Sequence, residues 1–206
     1  MHLRARLLSL GLIASAATVL SAATAYAGAL APATNCPSES VSQVFLPWGD
    51  TAEYSLVPGG NFASGGPAWD LGGSAQVVAG GDGYELNGSI SAQSLSLPSD
   101  SSATSPTVCV GAANPDIRLF VENTGDPSST LAVDVVVESS SGNTYTFPVD
   151  RLTATSSWEP TAQIPIYVNY AAGSGETPVS FTFTPQGQGG NWQIDDVYID
   201  PMGMGG

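Results

Sequence analysis

The stretch Gly190-Asn191-Trp192-Gln193-Ile194-Asp195-Asp196-Val197-Tyr198-Ile199-Asp200-Pro201 decides the fold. It is aromatic and β-branched, lies between a Gly-rich turn and a proline, and reads as the closing strand of a β-protein. Two adjacent carboxylates interrupt it. Strict alternation places Asp195 on the face of Val197 and Ile199, and Asp196 on the face of Ile194 and Tyr198. Both faces are mainly apolar, so at least one carboxylate is expected to be partly buried. A buried carboxylate needs hydrogen-bond donors or a cation.

Working outward, the same period-two pattern recurs. Leu131, Val133, Val135 and Val137 alternate with polar or small residues, as do Ile117, Leu119 and Val121, then Tyr145, Phe147 and Val149, and Val179, Phe181 and Phe183. Leu95 and Leu97 sit between serines. Each set predicts one buried sheet face with a wet reverse face. Gly80-Gly81-Asp82-Gly83, Thr124-Gly125-Asp126-Pro127, Ser141-Gly142-Asn143 and Gln186 to Gly190 are turn chemistry between them. The chain carries 24 Gly and 15 Pro, which leave no room for a long amphipathic helix after the N-terminus. About ten short strands with such turns predict an all-β single β-sandwich of the jelly-roll type.

The N-terminus has a different character. Arg4 and Arg6 precede an apolar run from Leu7 to Leu20, and Ala25-Tyr26-Ala27 precedes Gly28. That layout predicts a cleaved secretory signal peptide over residues 1–27. The run is too short to span a bilayer comfortably, so membrane insertion is not expected and the protein is assigned to the extracellular space. Residues 28–40 read as an extended arm, 41–201 as the sandwich domain and 202–206 as a disordered Met- and Gly-rich tail.

Without residues 1–27 the chain keeps Arg118 and Arg151 against all eighteen acidic residues, with no lysine and no histidine, a formal charge of −16. Such a surface repels nucleic acid and anionic membranes. The same absences remove Ser-His-Asp and Cys-His sites, Schiff bases and histidine-bound zinc. The two cysteines, Cys36 and Cys109, allow one disulfide, which closes a loop of about 74 residues and contributes about 4 kcal/mol in the chain-entropy model. Arg118 is expected to pair with a neighbouring acid.

The block Leu56-Val57-Pro58-Gly59-Gly60-Asn61-Phe62 with Pro67-Ala68-Trp69-Asp70-Leu71, together with Trp192 to Ile199, resembles the two ends of galactose-binding-like jelly rolls. These domains, which include many carbohydrate-binding modules, open on an N-G-x-F-E…W element and close on an I-D-D-V strand. The chain is more similar still to a group of exported bacterial proteins with a paired cysteine, a Ser-Leu-x-Leu-Pro strand (here Ser94 to Pro98) and a Trp-Gln-Ile-Asp-Asp-Val-Tyr ending. The resemblance implies a structural calcium ion between the opening turn and the closing aspartates. Its ligands would be Asp195, Asp196 and backbone carbonyls near Gly60 and Asn61, an all-oxygen set suited to calcium. The relatives' glutamate after the phenylalanine is replaced by Ala63. The alternative is that backbone N–H groups of the opening turn satisfy Asp195.

For function, the sequence favours a non-catalytic secreted module that binds a polysaccharide or a cell-envelope glycan. Trp158, Tyr167, Asn169 and Tyr170, near expected loop edges, are the candidate ligand contacts, because sugars stack on exposed rings. Trp69 and Trp192 are expected in the core. The alternative is a structural or adhesive cell-surface protein without a small-molecule ligand. A carboxylate-based glycosidase is a distant third, because adjacent aspartates on opposite faces do not straddle a glycosidic bond.

Overall fold

The computed structural model describes residues 40–111, 116–166 and 176–200. The expected signal peptide, Cys36, Tyr167, Asn169, Tyr170 and the tail lie outside the described residues. Among the described residues no helix is long and apolar enough to cross a membrane. Among those residues the one helical element is a single 3-10 turn over Leu46–Trp48.

Two antiparallel sheets carry the fold. The first follows the order β1 (Val41–Ser42), β2 (Tyr54–Leu56), β16 (Asn191–Asp200), β10 (Asp116–Asn123) and β13 (Glu159–Pro160). β14 (Ile164–Pro165) also pairs with β10, while β7 (Gln93–Pro98) joins β16 and carries β4 (Gln76–Ala79). The second sheet runs β12 (Thr144–Leu152), β11 (Thr130–Glu138), β15 (Thr177–Gln186), β8 (Ser102–Thr104) and β3 (Asp70–Gly72), with β9 (Val108–Val110) also on β15. A separate hairpin is formed by β5 (Glu85–Leu86) and β6 (Ser89–Ile90). Its turn is Asn87-Gly88, both at positive φ (51° and 76°), as a two-residue hairpin turn requires.

The main core fills the space between the sheets. Leu95, Leu97, Ile117, Leu119 and Val121 meet Leu131, Val133, Val135, Val137, Phe181 and Phe183 there, all shielded from water. Trp69 and Trp192 are buried as expected, and the Trp192 indole donates to the Ser129 hydroxyl at 3.0 Å. Burying a large aromatic ring and satisfying its polar edge together hold the first sheet onto the second.

Two expectations are corrected. The reverse face of β10 is not wet. Phe120 and Tyr198 join Val44, Phe45, Tyr54 and Leu86 in a second apolar cluster, roofed by the segment around the 3-10 turn. Phe45 stacks on Phe120 at 5.8 Å, and the Arg118 guanidinium lies 4.1 Å from the Phe45 ring centre while bonding Asp50 at 2.6 Å. Arg118 therefore does pair with an acid, from within an aromatic nest.

The second correction concerns β12, which is an edge strand. Tyr145 and Phe147 share a face with Val149, but they remain 40% and 42% exposed because the opposing sheet does not reach the edge. Their rings lie 6.5 Å apart, nearly parallel. Register with β11 slips between Val133 and Asp134, opposite Asp150 and Pro148. Cys109 in β9 is not a free thiol.

Candidate functional site

The closing strand does not keep a regular ladder. On β10, Phe120 faces Asp195 and Arg118 faces Tyr198, so three steps along β16 match two along β10. One residue is extra, a β-bulge. Asp196, at φ 46°, occupies the left-handed region at this point. The bulge inverts the alternation: Trp192 and Ile194 before it, and Val197 and Ile199 after it, all face the main core. Asp195 therefore does not share a face with Val197, as strict alternation required. It lies opposite Phe120, on the outer side, and the bulge lets both carboxylates serve one site.

The bulge coincides with a change of partner. Asn191 to Ile194 pair with β7, whereas Tyr198 and Ile199 pair with β2. The opening turn closes the gap between them. Val57 donates its N–H to the Val197 carbonyl at 2.9 Å, and Val197 donates to the Gly60 carbonyl at 3.1 Å. A Cβ at Gly60 would lie 2.8 Å from the Val197 carbonyl, so only glycine allows this approach. The beginning and the end of the domain are thus sewn together by backbone bonds.

A third aspartate completes the site, and sequence reasoning assigned it only to a turn. Asp82 sits in the Gly80–Gly83 loop, and carboxylate oxygens of Asp82, Asp195 and Asp196 lie within 4.8 Å of one another, all three residues being buried. Asp195 accepts from the N–H of Asp196 at 2.9 Å and the N–H of Asp82 at 3.2 Å, and the Ser91 hydroxyl oxygen lies 3.3 Å away, its one proton shared with the carbonyls of Gln93 at 2.7 Å and Asn61 at 2.9 Å. Its donors come from its own bulge, the Asp82 loop and Ser91 just after β6, not from the opening turn. Gly81 permits the loop to come this close, since a Cβ there would lie 2.7 Å from the Asp195 carboxylate. The only early sign of Asp82 was an acid among glycines, where backbone can crowd a ligand.

The electrostatics follow from burial without a counter-ion. Arg118 is committed to Asp50 and the Thr161 carbonyl, and among the described residues no basic side chain joins the cluster. Burial pushes Asp195 up to about 7. It pushes Asp196 to about 8, with the charges of Asp195 and Asp82 adding to the rise. Asp82 is raised by burial too. Asp82 Oδ1 accepts from the Tyr84 N–H at 2.8 Å, but Asp82 Oδ2 has no hydrogen-bond donor. Three crowded carboxylates with an orphaned oxygen need protons or a cation, and an all-oxygen donor set is the chemistry of calcium or magnesium. The residues therefore fit the calcium ion that the resemblance implied, with Asp82 in place of the glutamate missing at Ala63. Of the carbonyl donors expected, that of Gly60 is bonded to Val197, while that of Asn61 accepts from Ser91 at 2.9 Å, one hydroxyl away from Asp195.

Asp196 also borders a cavity of about 290 Å³ between the β5–β6 hairpin, the opening turn and the start of β1. Trp158 lies elsewhere. It is half-buried against the outer aromatic cluster, and its carbonyl accepts from the Tyr84 hydroxyl at 3.3 Å.

No protein-family model matches this sequence, and no curated protein does. Solved structures do. The N-terminal CBM22-1-CBM22-2 tandem domain from Paenibacillus barcinonensis Xyn10C superimposes with a TM-score of 0.50 at 14% identity, over 70% of this chain and 45% of that one. The single CBM22-1 xylan-binding domain of the same protein gives 0.48 at 14% identity, over 70% and 92%. The family 11 carbohydrate-binding module of Clostridium thermocellum Lic26A-Cel5E gives 0.41 at 11% identity, over 73% and 96%. The fold is therefore an all-β sandwich of the kind found in carbohydrate-binding modules.

Proposed function

We propose that this protein is an exported, non-catalytic saccharide-binding module, with Cys36 bonded to Cys109 and a structural calcium ion held by Asp82, Asp195 and Asp196. The observation that carries the reading is the juxtaposition of that cluster with a cavity of mixed polar and apolar wall in a sandwich like those of carbohydrate-binding modules. Its partner is a polysaccharide or a cell-envelope glycan. The ion would neutralise the cluster and pin the Asp82 loop to the closing strand.

Bond cleavage gains no support from the cluster. Its three carboxylates are buried side by side, whereas glycoside hydrolysis needs two acids flanking a bond across a cleft. A structural or adhesive surface role without a small ligand is the second reading, favoured by the exposed Tyr145–Phe147 pair. Retention of the purified protein on insoluble polysaccharides, together with a broad glycan array, separates the two. The module reading expects at least one retained glycan; binding to none of them leaves the surface role.

A further inference from the structure

The cavity beside the aspartate cluster has a composition of its own. Asn61, Asn87, Ser89, Ser91, Asp196 and Tyr198 supply amide, hydroxyl and carboxylate groups to its wall, and among the described residues no basic side chain lines it. These are mixed donors and acceptors, the complement of vicinal hydroxyls. Leu56 and Ile90 add an apolar surface, and Ile90 is 59% exposed at the hairpin, where the C–H face of a sugar ring can rest. Among the described residues no cationic side chain stands in this wall to pair with a carboxylate, sulfate or phosphate, so uronic, sulfated and phosphorylated sugars would leave their charge unpaired there and are disfavoured. The volume, about 290 Å³, lies at the bottom of the range for small-molecule sites. It suits one ring, not a length of chain.

Resting on the saccharide-binding reading, we propose that this cavity binds a single neutral sugar unit, a chain end or side branch, and that Asp196 couples its occupancy to the cation. Two positions of the fold argue for the coupling. Asp196 is the extra residue of the bulge, held at positive φ, and it belongs at once to the carboxylate cluster and to the cavity wall. Ser91 repeats the arrangement: it lines the cavity, its hydroxyl oxygen lies 3.3 Å from the Asp195 carboxylate, and the same hydroxyl faces the carbonyl of Asn61 in the cavity wall. A ligand that orders this wall changes the cluster, and by linkage a cation that orders the cluster changes ligand affinity by the same factor.

The test is a nuclear magnetic resonance titration of the ¹⁵N-labelled protein in saturating calcium, with D-xylose, D-glucose, D-galactose and D-glucuronate as probes. At least one neutral sugar is expected to shift the amides of Asn87, Ser89 and Tyr198, and glucuronate is expected to leave them unmoved. Asn87→Gly keeps the positive-φ turn while deleting the amide, and should weaken that sugar roughly tenfold. Ile90→Ala, at an exposed position, removes the apolar rest and should weaken the sugar severalfold without lowering the melting temperature. Calorimetric calcium titration should show about fivefold tighter calcium binding with the sugar present.

Shifts confined to another surface overturn the cavity assignment while leaving the saccharide-binding reading intact. Glucuronate binding as well as the neutral sugars overturns the ligand class. Unchanged calcium affinity overturns the shared role of Asp196. If neither these sugars nor any polysaccharide binds, the saccharide-binding reading itself falls.

Discussion

The two halves of β16 solve the same problem in opposite ways. From Asn191 to Ile194 the ladder is regular, and every polar neighbour is satisfied by the chain: Asn123 and Ser129 bond one another, the Trp192 indole and the Asn191 backbone. From Asp195 to Tyr198 the ladder is bulged, and the chain brings together three carboxylates with no internal cation. The first half is complete as folded protein. The second is complete only with protons or a metal ion. Stability in one half is packing; in the other it is linked to solution conditions.

The largest effect that would sharpen this contrast is Trp192→Ala. Removing a fully buried indole should cost about 3–5 kcal/mol in urea unfolding, with no dependence on calcium. A change in calcium response would break the separation. Next is metal removal. Chelation with EDTA should lower the melting temperature and added calcium restore it, by about 2.7 kcal/mol when calcium stands at roughly a hundred times its dissociation constant. Asp82→Asn should abolish that response, and a melting curve indifferent to EDTA would remove the ion.

A smaller effect is expected at Gly81→Ala. Its Cβ would collide with the Ser91 backbone and lie 2.7 Å from the Asp195 carboxylate, so about 1–3 kcal/mol should be lost together with calcium affinity. Retained affinity would show that the loop is not a ligand-bearing element.

The smallest effect concerns the far end of the strand. Asp116 lies opposite Asp200, with Asp50 and Arg118 also facing it, and burial, aided by the Asp200 charge, lifts it to about 6. The folded protein therefore holds this proton more tightly than the unfolded chain. Its contribution is fully present below about pH 4 and is lost as pH rises through 6. Asp116→Asn should raise stability at pH 7 by about 1 kcal/mol, reduced from the full shift because solvent reaches the group, and should have little effect at pH 4. No gain at pH 7 would show that the pair is already neutralised.

Much of the sandwich was legible because alternation is a local property. Leu131 to Val137 and Val179 to Phe183 lie in the main core as their period requires. The meeting of Gly60 with the closing strand was legible only through the resemblance to galactose-binding-like jelly rolls, which implies that the opening turn lies beside the closing aspartates. The bulge left no mark in the sequence. An extra residue in a ladder is invisible until both strands are paired, so the doublet was placed on opposite faces. Asp82 was missed because it meets Asp195 across 113 positions of sequence, with only flanking glycines to signal it. Tyr145 and Phe147 show a third limit: alternation reveals which residues share a face, but not how far the opposing sheet extends to cover them. Trp158 proved half-buried, and Tyr167, Asn169 and Tyr170 fall outside the described residues.

The edge strand β12 carries a further consequence, for life at high local concentration. Tyr145 and Phe147 make it sticky, and an exposed edge is a template on which a second molecule can add its own strand. Pro148 brings no N–H to the strand, and the register slips beside it, with Asp150 and Arg151 adding charge beyond, features that work against strand addition. The rings can face solvent while the backbone beneath them refuses to propagate a fibre.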